Sequence, residues 1–242
     1  MEEQQFMIEV IPAMECISAV QSYVEYCTDS ASQGNPEEEV DSRLQSWREE
    51  VDSKMSPFLK NDLLFLFQYY SHSIVLSYYI LYKNLAGAEE FLSSFKNMST
   101  EEFLSLYDTL LHVGSNPTEK GPPVTEEEIV DILERDRTPL KDPQGEAFQL
   151  FSLLETPGEF HQRMFRALSQ FYREFVSPYM EEALTVLEDK QEDHRSLLHS
   201  RPERFINSIT RDNYSTFQEH AAELRIVITY FSESRLDLLM EG

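Results

Sequence analysis

The chain has 242 residues, with 20 Lys+Arg against 44 Asp+Glu and a formal net charge of −24. That surplus argues against a chain that grips a phosphate backbone by itself, because such affinity comes largely from Lys and Arg releasing counterions; an anionic membrane surface is disfavoured for the same reason. At 41% hydrophobic and 12% aromatic the chain is too apolar for disorder, and seven glycines are few for loop-rich or dinucleotide-binding folds.

Along the chain, helix signals dominate. A β-like run over residues 5–11 precedes Pro12, which opens a helix with Met14, Ile17, Val20, Val24 and Cys27 on one stripe. The polar stretch Thr28 to Asn35 reads as a loop, and Pro36 followed by Glu37, Glu38 and Glu39 starts a second helix carrying Leu44, Trp47, Val51 and Met55. Ser56-Pro57 is an N-cap with proline at the first helical position. The helix or helix pair that follows runs to about Leu85 and is apolar nearly all round, so it is the expected central element.

Ser99 with Glu102, and Thr125 with Glu128, have capping-box spacing. Between them, Val113 to Val124 is a glycine- and proline-containing loop, and a second loop spans Arg137 to Gly145. Thr156-Pro157 begins a helix bearing Met164, Phe165, Leu168, Phe171, Tyr172 and Phe175, which Ser177-Pro178 breaks or kinks. The next helix has Leu184, Leu187, His194 and Leu198 on a stripe and stops before Pro202; Arg204 to Ile209 adds a short one. Leu224 to Phe231 is β-branched and aromatic and reads as a strand, with residues 235–240 as its hairpin partner. The expected fold is therefore a mostly α, multi-helix bundle in one domain over residues 1–242, with a small sheet made by the N-terminal strand and the C-terminal hairpin.

Compartment follows from cysteine use. Cys16 and Cys27 share a helix face about 16 Å apart, beyond disulfide reach. Two unpaired thiols, and an acidic N-terminus without a leader pattern, lead to a cytoplasmic expectation. Leu63 to Tyr82 is twenty residues without a formal charge, but Gln68, His72, three serines and five tyrosines lower its hydropathy, and no flanking basic excess orients it. A helix inside a bundle is expected there, with no membrane partner.

Motifs for catalysis are missing. There is no nucleophile elbow, Gly-rich phosphate loop or His-Glu-x-x-His, and acidic doublets such as Glu181-Glu182 diverge by about 100° on a helix. Asp108 is the only acidic residue four before a histidine, His112, and a single pair is too few to close a metal site; no catalysis, metal or cofactor is expected. One binding hypothesis comes from the aromatic segment: Tyr69, Tyr70, His72, Tyr78, Tyr79 and Tyr82 carry polar-tipped rings suited to lining a pocket for a small organic ligand. The competing assignment is that they fill the core.

The order of elements resembles the long helical N-terminal region of a subset of ArsR-type winged-helix transcriptional regulators from Gram-positive bacteria. The resemblance is carried by IEVIPAMECISAV (Ile8–Val20), FLKNDLLFLFQYYSHSIVLSYYILY (Phe58–Tyr82), Glu89–Leu110, Arg166–Ile209 and LRIVITYFSESRLDLL (Leu224–Leu239). It implies an effector-sensing and oligomerisation module, a homodimer responding to a small molecule or protein, whose C-terminal strands lead towards a DNA-binding part. The expected departure is that no segment here fits the winged helix, so DNA is reached only through a winged helix not present in this chain. The cysteine pairs of the family's thiolate metal sensors have no counterpart either. The rival expectation is a stand-alone acidic adaptor that binds a basic protein partner through its Glu-rich faces.

Overall fold

The computed structural model describes residues 5–32, 42–68, 70–112, 146–202, 204–205, 223–231 and 237–241. Strand β1 (Gln5–Glu9) leads into α1 (Pro12–Ser32), then α2 (Ser42–Lys54), α3 (Pro57–Phe67), α4 (Tyr70–Tyr82), α5 (Ala88–Lys96) and α6 (Thr100–His112). After them come α7 (Glu146–Glu155), α8 (Pro157–Phe171), one π-helical turn (Tyr172–Val176), one 3-10 turn (Ser177–Tyr179) and α9 (Met180–Ser200). Strands β2 (Glu223–Val227) and β3 (Asp237–Glu241) complete the set. The fold is mostly α with a small sheet, as the sequence leads one to expect.

Several helix starts are set by their caps. Ser56 accepts the Leu59 N–H at 3.2 Å on its Oγ, ahead of Pro57 at the first helical position. Ser99 and Glu102 exchange bonds of 3.1 Å in both directions, so two otherwise unpaired N–H groups at the start of α6 are satisfied. Pro157 opens α8, whereas the Thr156 hydroxyl turns back to the Ser152 carbonyl instead of capping. At Ser177-Pro178 the helix does break, through the π turn and the 3-10 turn in succession.

Some boundaries differ from expectation. Helix α1 continues through residues 28–32, because the Thr28 hydroxyl bonds back to the carbonyls of Val24 and Glu25 and so stays compatible with a helix. The uncharged run from Leu63 is the helix pair of the two arrangements expected, parting at Gln68. The central element is α1, not α3–α4: every residue from Ala13 to Val24 is buried, and α1 packs against α2, α3, α4, α5, α8 and the π turn. Its alanines and serines allow neighbours close on all sides, while α4 leaves one face in solvent. The Thr125–Glu128 box, the Pro36 helix start, the loops over 113–145 and the end of the Arg204 helix lie outside the described residues. Among the described residues, no helix is long and apolar enough to cross a membrane.

Strand order is β1-β2-β3, with β1 parallel and β3 antiparallel to the central β2; Ile8 faces Ile226 and Leu238 faces Ile226 from the other side. Side chains alternate as a two-residue period requires. Ile226 and Ile228 join Ile8, Leu187 and Phe205 in a small core under α9, while Val227 and Phe231 belong to the main core of the bundle. The sheet is thus tied to both. β1 ends at Glu9 rather than at residue 11, since Ile11 already accepts the Met14 N–H of the helix start. β2 ends at Val227 rather than 231, because the chain beyond it is drawn towards α1.

Candidate functional site

Helix α4 carries the aromatic residues that the sequence nominates, and its geometry divides them. Tyr69 lies outside the described residues, and Tyr70 is the first residue of α4. His72 and Tyr79, seven positions apart, face the core, at 0% and 3% exposure. Tyr78 and Tyr82 point outward at 37% and 69% exposure, and their rings stack at 5.9 Å with an interplanar angle of 15°. Successive residues on a helix diverge by about 100°, so Tyr78 and Tyr79 serve opposite sides. His72, Tyr78, Tyr79 and Tyr82 therefore do not converge on one cavity.

The inward side holds a polar chain inside an aromatic nest. Tyr107 and His72 meet at 2.8 Å between Oη and Nδ1. Burial pushes the Tyr107 hydroxyl far above its ordinary range, so it stays protonated and able to donate; with Nδ1 accepting, the imidazole proton sits on Nε2. The Gln149 amide donates to the Phe65 carbonyl. Among the described buried side chains, His72 Nε2 and Gln149 Oε1 are the atoms that complete no hydrogen bond of ordinary geometry. With the proton on Nε2 the two are complementary, one a donor and the other an acceptor. Burial pushes His72 down to about 4, and the Gln149 side chain opposes that as a hydrogen-bond partner. The rings of Tyr107 and Phe160 each lie 5.4 Å from the imidazole. His161 extends the nest, donating to the Phe95 carbonyl at 2.7 Å with its ring 4.7 Å from Phe95 and 4.8 Å from Phe103.

A second junction joins the bundle to the sheet. Trp47 donates its indole N–H to the Phe175 carbonyl in the π turn at 2.9 Å, and its ring lies 4.7 Å from Phe231 and 6.3 Å from Phe171. A wider turn leaves carbonyls without the regular i+4 partner, and the indole fills that role for Phe175. Beside it, Glu15 is fully buried, and its carboxylate accepts the N–H groups of Tyr230 and Phe231. Desolvation pushes Glu15 up to about 8, although both backbone bonds and the Lys190 charge favour ionisation. The sequence reading missed Glu15, Trp47, Tyr107, Gln149 and His161 as partners. Only Glu15 left a trace, as one acid inside an otherwise buried stretch of α1.

The remaining candidates are quiet. Cys16 and Cys27 are both free thiols; burial pushes Cys16 up to about 12, and Cys27 is also raised by burial despite Tyr23 and Lys60 nearby. Asp108 and His112 fall in α6, their side chains outside the described residues. Among the described residues no group of three or more His, Cys, Asp or Glu is placed to hold a metal ion. Comparison of the chain with protein-family models, curated proteins and solved structures gives no match.

Proposed function

We propose that this chain is the effector-sensing and oligomerisation part of an ArsR-type transcriptional regulator, acting in the cytoplasm as a homodimer without catalysis. DNA contact belongs, in this reading, to a winged helix that follows the region. The observation that carries it is the Trp47 junction. One side chain touches α8, the π turn and Phe231 just past β2, so a change in bundle packing reaches the C-terminal strands through direct contact. An effector that favours one packing of α4 and α8 shifts the strands with it, to the extent that its affinity for the two packings differs. Moving such an equilibrium from 1:99 to 99:1 takes a ratio of about 10⁴.

The test joins sequence and binding. The reading frame past Gly242 is expected to encode a helix–turn–helix, and the protein with that segment should bind operator DNA by fluorescence anisotropy. Residues 1–242 alone should not. Removing residues 1–242 should leave DNA affinity and abolish the response to effector. A stop codon at Gly242, or an unaltered response after the removal, rejects the reading; a stop codon together with capture of a basic protein partner assigns the acidic adaptor instead.

A further inference from the structure

Helix α4 is uncharged along its 13 residues and carries large apolar side chains on every side, the mark of a helix covered all round. One of its faces nevertheless stays in water. Val75, Leu76, Tyr79 and Ile80 are buried in the bundle, whereas Ile74, Tyr78 and Tyr82 are exposed, with Ser77 and Leu81 half-buried beside them. Positions 74, 77, 78, 81 and 82 are i, i+3, i+4, i+7 and i+8, the stripe by which an amphipathic helix meets a neighbour. Among the described residues five large apolar side chains are exposed, and three of them stand on this stripe. Single exposed apolar residues are ordinary, but a contiguous set marks an interaction surface. Tyr78 and Tyr82 are already stacked on each other, so little rotamer freedom remains to be lost when a partner arrives.

Charge decides what covers the stripe. Between Asp62 and Glu89 the only formal charge in the sequence is Lys83, whose ammonium lies 5.9 Å from the Tyr82 ring at the end of the stripe. A basic partner protein is drawn to acidic surfaces such as the Glu181-Glu182 start of α9, and this stripe offers it no attraction. A second copy of the chain has the opposite requirement. It brings its own charge of −24, so it pairs where no carboxylates are forced together, and here it meets a single cation instead.

We propose that the outer stripe of α4 is the face through which two copies of this chain pair, antiparallel about a two-fold axis near residues 77 and 78. The pattern is self-complementary: Ile74, Tyr78 and Tyr82 form one i+4 ridge, and Ser77 and Leu81 a lower row beside it. Under the two-fold, the ridge of each copy enters the lower row of the other, at the crossing angle of about −50° usual for such ridges. Ile74 of one copy then lies near Tyr82 of the other. Helix α4 is about 20 Å long and a helix about 10 Å wide, a footprint far below the roughly 800 Å² per partner of a standard interface. The pairing is therefore weak and reversible. It rests on the homodimer of the function proposed above and supplies that homodimer's contact.

The experiment is sedimentation equilibrium of residues 1–242 over a range of protein concentrations. Monomer–dimer exchange is expected with a dissociation constant on the order of 100 μM in about 0.1 M salt, and below that concentration the stripe stays in water. Raising the salt to about 1 M shortens the screening length from about 10 Å to about 3 Å and weakens the repulsion between copies, so the pair should tighten at least about threefold. Tyr78→Glu sets like charges beside the two-fold axis and should leave the chain monomeric. Tyr82→Glu should do the same from the end of the stripe, and it carries the test alone if Tyr78→Glu loses its native circular dichroism. Leu197→Glu, at an exposed apolar position of α9, should leave the dissociation constant unchanged. Mixing Tyr78→Glu with Tyr78→Lys should restore the pair that Tyr78→Glu lacks.

A chain monomeric at every concentration, a pair loosened by salt, or a pair lost equally in Leu197→Glu overturns the proposal. A pair that survives both Tyr78→Glu and Tyr82→Glu overturns it too and leaves the homodimer on another face. A monomer in which Tyr82 resists acetylation by N-acetylimidazole assigns the stripe to another segment of this chain, and a partner protein lost on Tyr78→Glu from a monomeric chain assigns it to that partner. Operator binding with effector response in the winged-helix-bearing protein, while residues 1–242 stay monomeric, retires the interface alone. Pairing through α4 without operator binding retires the regulator and keeps the interface.

Discussion

Both carboxylate oxygens of Glu15 accept the backbone N–H of Tyr230, at 3.1 and 3.0 Å, across 215 residues of sequence. The contact ties the segment after β2 to the first turns of the central helix. It also fixes a pH dependence. Glu15 binds its proton up to about pH 8 in the fold, whereas an ordinary glutamate releases it near 4.5. Folding therefore takes up a proton between those values, and stability falls as pH rises through that window. His72, held at about 4 against an ordinary 6.5, acts the other way: the unfolded chain gains the proton, so stability falls as pH drops below 6.5. His161 is lowered too and acts in the same direction as His72.

The two opposing slopes overlap below pH 6.5, which leaves Glu15 dominant from 6.5 to 8. Urea unfolding should therefore show stability dropping by about 1 kcal/mol per pH unit there. Glu15→Gln keeps an acceptor for the two N–H groups and should flatten the slope. A wild-type chain equally stable at pH 6.5 and 8 contradicts the assignment.

The His72 chain makes a second prediction. Replacing His72 by Phe leaves the Tyr107 hydroxyl without this partner, and a buried polar group left unpaired costs about 1–3 kcal/mol. Tyr107→Phe added to it removes the orphan, so the double variant should recover part of the loss. Urea midpoints over the four-member cycle measure the coupling. Strict additivity of the two losses rules out a shared chain.

Much of this fold was legible where local chemistry decides it. Ser56-Pro57, Ser99 with Glu102 and Ser177-Pro178 mark their boundaries because a cap or a missing N–H acts within a few residues. Strand β2 was legible from its β-branched run, but its end was not: Glu15 and the Glu9 carbonyl decide where the chain leaves β2. The polar chain was illegible for the same reason. Phe65 and Gln149 are 84 residues apart, and no periodicity records such a pairing. The exposure of α4 on one face was equally hidden, since a run without charges gives no sign of which side stays in water.

That one-sided exposure is testable by truncation. Tyr79 is buried among Phe91 and Phe95, with its hydroxyl 2.6 Å from Ser94 Oγ, so Tyr79→Ala should cost about 3–5 kcal/mol, the range for large aromatic truncations. Tyr82→Ala, on the outer face, should fall within about 0.5 kcal/mol of wild type. Comparable losses at both positions in thermal or urea unfolding mean that the outer face is covered.

Trp47 is the only tryptophan of the chain, so its fluorescence reports directly on the junction between bundle and sheet. At 6% exposure it should emit to the blue of free tryptophan and resist acrylamide quenching. Phe231→Ala removes the ring 4.7 Å away and should raise the quenching constant before global unfolding begins. Trp47→Phe keeps much of the apolar contact but withdraws the donor from the Phe175 carbonyl, for a loss of about 1–3 kcal/mol. If Phe231→Ala leaves quenching unchanged while the chain stays folded, the indole is shielded by the bundle alone, and the route from bundle packing to the C-terminal strands does not run through Trp47.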